Sequence, residues 1–481
     1  MAAQLDLDRR SEPAQAPHPL GERSQEGGLG EAHLRSNLLH PGRFPRLREK
    51  ADRGGIAAER PLGEGIDVVE IQAHGGQATA LCIAKSFRLQ SYRENRLDSL
   101  QRPRDLTDTA DKTRMGSSAA STEVRPATVA PEEFIGLLDG FRDRLDRELA
   151  AWLAYKRHDA GDFREAHELI DGVGELVTQG GKRLRPALVY YTCRACGGPP
   201  DEEALPVALA TELLHTYLLI HDDIMDHAEV RRGQPSAHAR FRQSHLARGL
   251  HGDAQDFGRS VAILLGDLAH TWAVELFSSS ARSAELTRCF SAMSEEVIAG
   301  QYLELLVAQR RVAREDELLN ILRLKSGRYT AERPIQLGAL LARAPEPVID
   351  ALSRYGTAVG EAFQLQDDLL GMFGDRSTVG KPVGEDLKEG KFTFLIHHAL
   401  AAASPAERVF LEGALGDAHL PDADVARAQR LLEDTGARAK VDAMVAERLL
   451  AARATLDGLD LRPEGRLFLA GLVDYLWERK S

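Results

Sequence analysis

The sequence predicts an all-α protein, folded as one large single-domain bundle of antiparallel helices. From about Glu132 onward, apolar residues recur at spacings of three and four, which is the period of a helix with one buried face. Alanine, leucine, glutamate and arginine dominate these segments, and all four are good helix formers. Short polar connections join most of the segments, and no alternating apolar and polar runs separate them, so neighbouring helices should pack antiparallel.

Start and stop signals place these elements along the chain. The first helix is predicted to begin at Pro131-Glu132-Glu133, since proline and acidic residues are favoured in a first turn. The polar stretch 242–258 is the longest predicted loop. Helices are predicted over residues 132–155, 162–178, 183–195, 203–226, 258–279, 282–311, 315–330, 347–373, 387–403, 422–435, 437–457 and 463–479.

The first 114 residues differ from the rest of the chain. They are rich in arginine, glycine and proline, lack a sustained helical period and are nearly neutral. We predict that residues 1–114 form a disordered or loosely structured extension. Residues 115–130 are predicted to be a flexible leader, and translation from Met115 is a hypothesis. The helical domain is predicted to span residues 131–481.

Composition limits the classes of function. A formal charge of −12 argues against nucleic-acid binding, which needs a basic face. It does not argue against an anionic substrate that a metal cation bridges. The apolar stretches are shorter than the roughly 20 residues that cross a bilayer, and the N-terminus lacks a signal-peptide pattern. Four cysteines in 481 residues do not make a disulfide scaffold, so we expect a cytoplasmic protein without a membrane span.

The most informative motif is Asp222-Asp223-Ile224-Met225-Asp226, at the end of a predicted apolar helix. Positions four apart share a helix face, so Asp222 and Asp226 should point the same way, with Asp223 beside them. Their charges repel each other, and the negative end of the helix dipole adds to the repulsion. Mg²⁺ relieves it, because it prefers oxygen ligands and keeps water or phosphate oxygens in its other positions. Taken alone, the motif is equally compatible with a solvated acidic helix end.

A second acidic pair, Asp367-Asp368, lies in the later apolar segment FQLQDDLLG. Two acidic sites facing each other across a bundle would hold a diphosphate through several metal ions. The motif GGKRLRP, residues 180–186, places three bases and two flexible glycines at a helix start, as an anion cradle would. Each base alone is most simply a surface charge, but together they predict a diphosphate site. Further candidates are Arg231, Arg232, Lys325, Ser326, Lys381 and Lys391.

These motifs, in this order, resemble those of the trans-isoprenyl diphosphate synthases, the polyprenyl synthetase family, over roughly residues 130–481. The resemblance rests on GGKRLRP, ELLHTYLLIHDDIMD, RRGQP, VAILLGD, GQYLE, KSGRYT, FQLQDD and GKPVGEDLKEGKFT. It implies a helical bundle of the isoprenoid synthase type with a central apolar cavity. It also implies a homodimer that uses Mg²⁺, as three ions with substrate bound, to join isopentenyl diphosphate to an allylic diphosphate.

Carried over by position, the resemblance implies three sets of site residues. Isopentenyl diphosphate is expected to bind Lys182, Arg185, His215 and Arg232. Mg²⁺ on the allylic diphosphate is expected to bind the catalytic residues Asp222, Asp226 and Asp367, with Asp223 and Asp368 beside them. The same diphosphate is expected to contact Arg231, Lys325, Ser326, Gln364, Lys381 and Lys391, and Lys325 is also assigned to catalysis.

The sequence departs from the family pattern in its second acidic motif. This motif commonly ends in aspartate, but Gly371 stands there, with Asp375 four residues beyond. The first aspartate of the motif is the principal ligand in the family, so the change affects Asp368 more than Asp367. Ser326 stands where threonine is frequent, which keeps the hydroxyl group.

The expected mechanism needs no side-chain nucleophile. Positive charge draws electrons from the allylic diphosphate, its C–O bond ionises, and an allylic carbocation forms in an apolar pocket. The double bond of isopentenyl diphosphate attacks this cation and a proton then leaves. A class I terpene cyclase and a non-catalytic synthase subunit are the alternatives, but the first has no use for GGKRLRP and the second typically loses acidic motifs. His221 and His227 would also fit a metal-dependent hydrolase, yet no further ligands follow in a matching order.

Product length is predicted from Tyr217, five positions before Asp222 and about 7.5 Å up the helix axis. A chain growing beside this helix passes near the ring, which can act as a floor. In the family, an aromatic residue here without an insertion in the acidic motif resembles the geranylgeranyl type. A core aromatic with its hydroxyl satisfied elsewhere is the simpler alternative. We expect a twenty-carbon product, with the fifteen-carbon farnesyl product second.

Overall fold

A computed structural model describes residues 129–198, 201–280, 284–374 and 383–479. The predicted extension 1–114, nearly all of the predicted leader 115–130, Lys381 and Asp375 lie outside the described residues. Within these ranges the chain forms sixteen α-helices, one π-helical segment and one two-stranded hairpin, so the all-α prediction is confirmed. The helices are Pro131–Asp159 (α1), Arg164–Thr178 (α2), Leu184–Ala195 (α3), Asp201–Met225 (α4), Ala237–Ala247 (α5), Ala254–Ser280 (α6), Ala284–Arg310 (α7), Glu315–Ile321 (α8), Arg333–Leu341 (α9), Glu346–Phe373 (α10), Glu385–Lys388 (α11), Phe394–Ala402 (α12), Pro405–Ala414 (α13), Asp422–Asp434 (α14), Ala437–Asp457 (α15) and Pro463–Glu478 (α16).

The core is built around α4 and α10. In α4, every residue from Ala204 to Leu214 is buried, which is the pattern of a helix surrounded by others. It packs against α3 and α6, while α10 packs against α9, α15 and the π-helical segment Leu322–Glu332. One continuous apolar cluster joins these elements. The two helices that carry the acidic motifs are therefore part of this core.

Two glycines make room for the π-helical segment. A Cβ atom on Gly300 of α7 would lie 2.5 Å from the backbone nitrogen of Lys325, and one on Gly360 of α10 would collide with the backbone of Gly327. Glycine weakens a helix interior, so its presence in two long helices here is explained by this close approach. The wide turns of the segment fit between α7 and α10 as a result, and they present Lys325 and Ser326 to the interior.

The prediction of one long loop over residues 242–258 is wrong. Helix α5 continues to Ala247 and α6 begins at Ala254. Only five residues of α5 are buried, so its apolar period is too weak to be recognised. Helix α13 is also absent from the predicted helices, although Ser404 and Glu407 form a capping box at its start. A short hairpin pairs Val230–Arg231 (β1) with Gln234–Pro235 (β2) just after α4.

Two helices, α4 and α6, are long and apolar enough to match a membrane span by length and composition. In the fold, 72% of the apolar window of α4 and 50% of that of α6 is buried. Core helices of globular proteins meet the same test, so this finding is weak evidence for a membrane.

Candidate active site

Two adjoining cavities are lined by residues of both acidic motifs. The larger, here called the acidic cavity, encloses about 670 Å³, and the smaller, the apolar cavity, about 460 Å³. Both have Asp222 and Asp367 in their walls, so α4 and α10 present their aspartates to the same space. The acidic cavity is also lined by Lys182, Lys325, Ser326, Gln364, Asp368 and Lys391, and the apolar cavity by Arg185, His215, Tyr217, Lys325, Ser326 and Gln364.

Helix α4 ends inside the first acidic motif. Asp222 lies in its last turn and Asp226 follows directly, with its backbone N–H bonded to the Asp222 carbonyl at 2.8 Å. Burial is the main cause that raises the pKa of Asp226 to about 6, and the Asp222 carboxylate is the second. The two side chains therefore lie close enough to repel each other, and together they offer oxygen ligands to a cation.

Asp223 has a different environment from its neighbours. Its side chain is 2% exposed and accepts hydrogen bonds from Arg231, at 2.6 Å from Nε and 2.5 Å from Nη2. Burial raises the pKa of Asp223 and Arg231 lowers it, with burial the larger effect. Asp223 is not in the wall of either cavity. Its carboxylate is therefore engaged in holding Arg231 beside Asp222, at 3.9 Å.

Two lysines balance part of the acidic charge. The Nζ atom of Lys325 lies 3.7 Å from Asp222 and pairs with Glu304, while that of Lys391 lies 3.6 Å from Asp386. Burial alone would lower the pKa of Lys325, but Glu304 and Asp222 outweigh it and raise the pKa. Both lysines are thus held as cations at the wall of the acidic cavity.

The second acidic motif lies within α10 rather than at a helix end. Asp367 pairs with Arg479 at 2.8 Å, and Asp368 accepts a hydrogen bond from Gln364 at 2.8 Å. Burial raises the pKa of Asp368 well above its usual range, with the nearby Asp386 as the second cause. Burial and the neighbouring carboxylate therefore both favour the protonated form of Asp368.

Gly371, at the position where aspartate is common in the family, leaves room for another acid. A Cβ atom there would lie 2.5 Å from the Asp386 carboxylate. Asp386 comes from α11 and lines the acidic cavity, as does Glu304 of α7. Sequence reasoning missed both, although they lie in GKPVGEDLKEGKFT and GQYLE, while Arg479 has no motif that could have indicated it.

Several basic residues lie at or beside the two cavities. Arg185 donates to Thr330 at 2.8 Å and lies 3.3 Å from His215. Arg232, which lines neither cavity, donates to the carbonyl of Gly180 and so ties the β1–β2 turn to the loop that carries Lys182. Lys182, Arg185, His215 and Arg232, which are predicted from three separate motifs, are here called the basic wall.

The side chain of Arg183 points away from the cavities that Lys182 and Arg185 line. It has a left-handed backbone, with φ of 51°, and its side chain points into the core to pair with Glu212 at 2.5 Å. This conformation is unfavourable for a residue with a Cβ atom, and in it the Arg183 guanidinium donates to Glu212 and to the Val177 carbonyl. With Arg183 directed inward, Lys182 and Arg185 line the acidic and the apolar cavity.

Tyr217 lies in the wall of the apolar cavity, as the sequence predicts. Its ring meets His221 edge-on at 4.7 Å between centroids and lies 5.0 Å from His270 of α6. The remaining wall is mostly apolar, with Leu218 and Ile298 among its residues. The cavity is therefore chemically suited to a hydrocarbon chain, with carboxylates at one end.

The carboxylates of the two acidic motifs suit Mg²⁺ better than they suit a metal ion whose ligands all come from the protein. Among the described residues, no three His, Cys, Asp or Glu side chains converge on one ion position. Mg²⁺ usually takes one or two carboxylates and completes its shell with water and phosphate oxygens. Asp222 and Asp367, in the walls of both cavities, match that pattern, and Asp226, which lines neither cavity, lies close to Asp222.

The chain is similar to known proteins in sequence and in fold. A sequence model of the polyprenyl synthetase family matches residues 167–432, more than half of the chain. The short-chain isoprenyl diphosphate synthase of Methanothermobacter thermautotrophicus is 32% identical over 315 residues, covering 65% of this chain and 90% of that protein. The nonaprenyl diphosphate synthase of Mycobacterium tuberculosis is 32% identical over 323 residues, covering 66% and 89%.

A solved structure is similar over nearly its whole length. The geranylgeranyl pyrophosphate synthase of Corynebacterium glutamicum, complexed with isoprenyl diphosphate and magnesium, has a TM-score of 0.68 and 33% identity, covering 71% of this chain and 99% of that chain. Fold and site thus define a helical prenyltransferase. The chain belongs to the polyprenyl synthetase family, the trans-isoprenyl diphosphate synthases.

Proposed function

We propose that this enzyme condenses isopentenyl diphosphate with an allylic diphosphate in a Mg²⁺-dependent reaction and releases geranylgeranyl diphosphate. One observation carries the proposal. Asp222 and Asp367 lie in the walls of both the acidic and the apolar cavity, so a diphosphate and its hydrocarbon chain have adjoining places.

The allylic diphosphate is placed in the acidic cavity. Asp222, Asp226 and Asp367 would hold Mg²⁺, as three ions with substrate, with Asp368 and Asp386 close by; the ions supply the positive charge that helps the C–O bond ionise. Lys325 and Lys391 take up the negative charge that develops on the leaving diphosphate. Ser326 and Gln364 orient that group by hydrogen bonds. Arg231, held by Asp223, adds positive charge beside Asp222.

Isopentenyl diphosphate is placed at the basic wall. Lys182, Arg185, His215 and Arg232 supply cations and hydrogen-bond donors there, and the carbons of the substrate point towards the apolar cavity. The Phe363 ring lines both cavities, with its centroid 5.8 Å from the Lys182 ammonium, and offers an apolar surface to the reacting carbons. The proton that leaves at the end has the released diphosphate as its nearest base.

The experiment is incubation of the purified protein with Mg²⁺, isopentenyl diphosphate and each allylic starter in turn, followed by measurement of product chain length. A product of twenty carbons supports the proposal. A cyclic hydrocarbon without use of isopentenyl diphosphate would indicate a terpene cyclase instead. Absence of turnover with every starter would favour a non-catalytic subunit.

The relatives named above include both short-chain and nonaprenyl synthases, so similarity to them does not assign a product length. The twenty-carbon assignment therefore rests on Tyr217. Tyr217→Ala is expected to lengthen the product by at least one five-carbon unit, since it opens the floor of the apolar cavity. His270→Ala, at the same level on α6, is the comparison that tests whether the ring or its support is the stop. An unchanged product from Tyr217→Ala at an ordinary rate would remove the basis for the twenty-carbon assignment.

We also propose that the enzyme acts as a homodimer in the cytoplasm and that residues 131–481 form the synthase domain. Helices α6 and α7 expose Leu264 at 55% and Tyr302 at 64%, and such apolar side chains suit contact with a second copy. Light scattering on the intact protein tests the oligomeric state, and an activity assay on a protein that starts at Met115 tests the domain assignment. A monomer, or loss of activity on truncation, would contradict them.

A further inference from the structure

The π-helical segment contributes two side chains to the basic wall that no assignment above uses. The hydroxyl oxygen of Tyr329 lies 2.8 Å from Nδ1 of His215, and the hydroxyl oxygen of Thr330 accepts a hydrogen bond from Arg185 at 2.8 Å. Arg185 also stacks over the Tyr329 ring, 4.5 Å from its centroid. Tyr329 is 4% exposed, so this contact is fixed by packing.

These contacts determine where His215 carries its proton. Burial, followed by four arginines, lowers the pKa of His215 well below its usual value, so the ring is neutral and has one N–H. Arg185 can only donate, and it lies 3.3 Å from Nε2, so Nε2 is the acceptor. The proton is therefore on Nδ1 and is donated to the Tyr329 hydroxyl.

With its proton on Nδ1, the His215 ring cannot donate a hydrogen bond from Nε2 to an anion. A diphosphate accepts hydrogen bonds and cannot donate them when fully ionised, so an unprotonated Nε2 would repel it. His215 can contribute to binding only with its proton on Nε2, and then Nδ1 needs a donor. The Tyr329 hydroxyl can fill that need because a hydroxyl both accepts and donates.

We propose that Tyr329 is a positioning residue that allows His215 to change tautomer when isopentenyl diphosphate binds. Nδ1 gives its proton to water and Nε2 takes one from water, so the ring is neutral before and after. Arg185 turns from Nε2 to the diphosphate, Nε2–H donates to the diphosphate, and the Tyr329 O–H donates to Nδ1.

The hydrogen-bond inventory favours this change. Without the anion, the Tyr329 hydroxyl proton has no acceptor among the described residues, because its one hydrogen-bond contact is with Nδ1. After the change that proton is bonded and the diphosphate gains a donor. Bonds to charged groups are worth more than neutral ones, so the exchange stabilises the bound state.

The proposal rests on the placement of isopentenyl diphosphate at the basic wall, and the first experiment separates the two. The full-length protein, labelled with ¹⁵N-histidine and kept metal-free with a chelator, is titrated with isopentenyl diphosphate, and the ¹⁵N shifts of His215 are followed by NMR. His215→Gln identifies the signal, and exposed His251 is the control. We expect the protonated nitrogen to change from Nδ1 to Nε2.

Three other results would overturn the proposal in distinguishable ways. A His215 signal that does not move would remove the substrate placement together with the tautomer change. A signal that moves while Nδ1 keeps the only proton would leave the placement standing and exclude the tautomer change. Protonation of both nitrogens would mean that binding charges the ring instead.

A substitution tests the role of the hydroxyl in turnover. Tyr329→Phe keeps the buried ring and removes only the oxygen, so the fold should be retained. We expect KM for isopentenyl diphosphate to rise about tenfold, the loss typical of one hydrogen bond that serves a charged group, while KM for the allylic substrate stays within about twofold.

The matched control is Tyr355→Phe. Tyr355 is also buried, but it lines neither cavity, and its hydroxyl donates to the Leu469 carbonyl at 2.6 Å. It should lose thermal stability without a change in either KM. Equal KM values for isopentenyl diphosphate in Tyr329→Phe and the unmodified enzyme would overturn the proposal.

Discussion

The first acidic motif lies where α4 ends, whereas the second lies inside the continuous helix α10. At the first motif, Asp223 forms an ion pair with Arg231, and we assign Asp222 and Asp226 to the binding of a cation. At the second, Asp367 is paired with Arg479, Asp368 is bonded to Gln364, and Asp386 comes from elsewhere in the chain. Similar sequence motifs thus differ in the partners of their carboxylates, because side chains from other elements pair with different aspartates at each motif.

The largest expected effect is at Asp222, which both cavities share. Asp222→Ala should lower turnover about 100- to 1,000-fold, as removal of one stabilising group in other active sites does. The fold should stay intact or become more stable, because repulsion with Asp226 is relieved. Steady-state kinetics and thermal unfolding measure the two effects.

The control is Asp350→Ala, an exposed aspartate at the far end of α10. It should leave both turnover and stability unchanged. Near-normal turnover in Asp222→Ala would contradict the placement of the metal at the first motif.

The second prediction sharpens the contrast within the first motif. Asp223→Asn removes the charge of a buried carboxylate that pairs with the partly exposed Arg231, so we expect a loss of about 2 kcal/mol in the free energy of unfolding. Asp222→Asn should show no such loss. Chemical denaturation of the two variants side by side is the measurement, and equal stability of both would show that Asp223 is not a structural partner.

The contrast between the motifs also shows what could be predicted from sequence. Periodicity and capping predict the long helices, and motif order identifies Asp222, Asp367, Lys182 and His215, each of which lines at least one of the two cavities. The engagement of Asp223 could not be predicted, because its partner Arg231 becomes a neighbour only when the β1–β2 hairpin folds back. Tertiary contacts of this kind leave no local pattern.

The same limit applies to the second motif. Arg479 lies far along the chain from Asp367, and Asp386 fills the space beside Gly371 through the fold of α11. The sequence predicts ordinary helix where the π-helical turns of Leu322–Glu332 lie, since an α period cannot reveal a wider turn. The glycines that permit it, Gly300 and Gly360, are recognisable only once three elements are packed together.

The third prediction concerns Gly371→Asp, which gives the second motif the aspartate that is common in the family. Gly371→Asp would place a Cβ atom 2.5 Å from the Asp386 carboxylate and a second charge beside it. Overpacking of this kind costs about 1–3 kcal/mol of unfolding free energy, and repulsion adds to it. Gly371→Asp combined with Asp386→Gly should recover stability, as measured by thermal unfolding. A stable single variant would show that the two positions do not compete for one space.

The smallest expected effect is the pH dependence of the metal-free protein. The pKa of Asp226 is raised to about 6 by burial and by Asp222, above the ordinary value of 3.8, so folding favours its protonated form. The stability that it contributes is fully present below pH 3.8 and is lost as pH rises through about 6. Asp226→Asn cannot ionise and should lack this loss. Between about pH 5 and about pH 7.5, with a chelator present, the thermal midpoint of the unmodified protein should fall about 2 °C more than that of Asp226→Asn. Mg²⁺ should remove the difference, because it binds the ionised carboxylate and compensates its charge. Parallel midpoints for the two proteins across this range would mean that the pKa of Asp226 is not raised in the folded protein, either by burial or by Asp222.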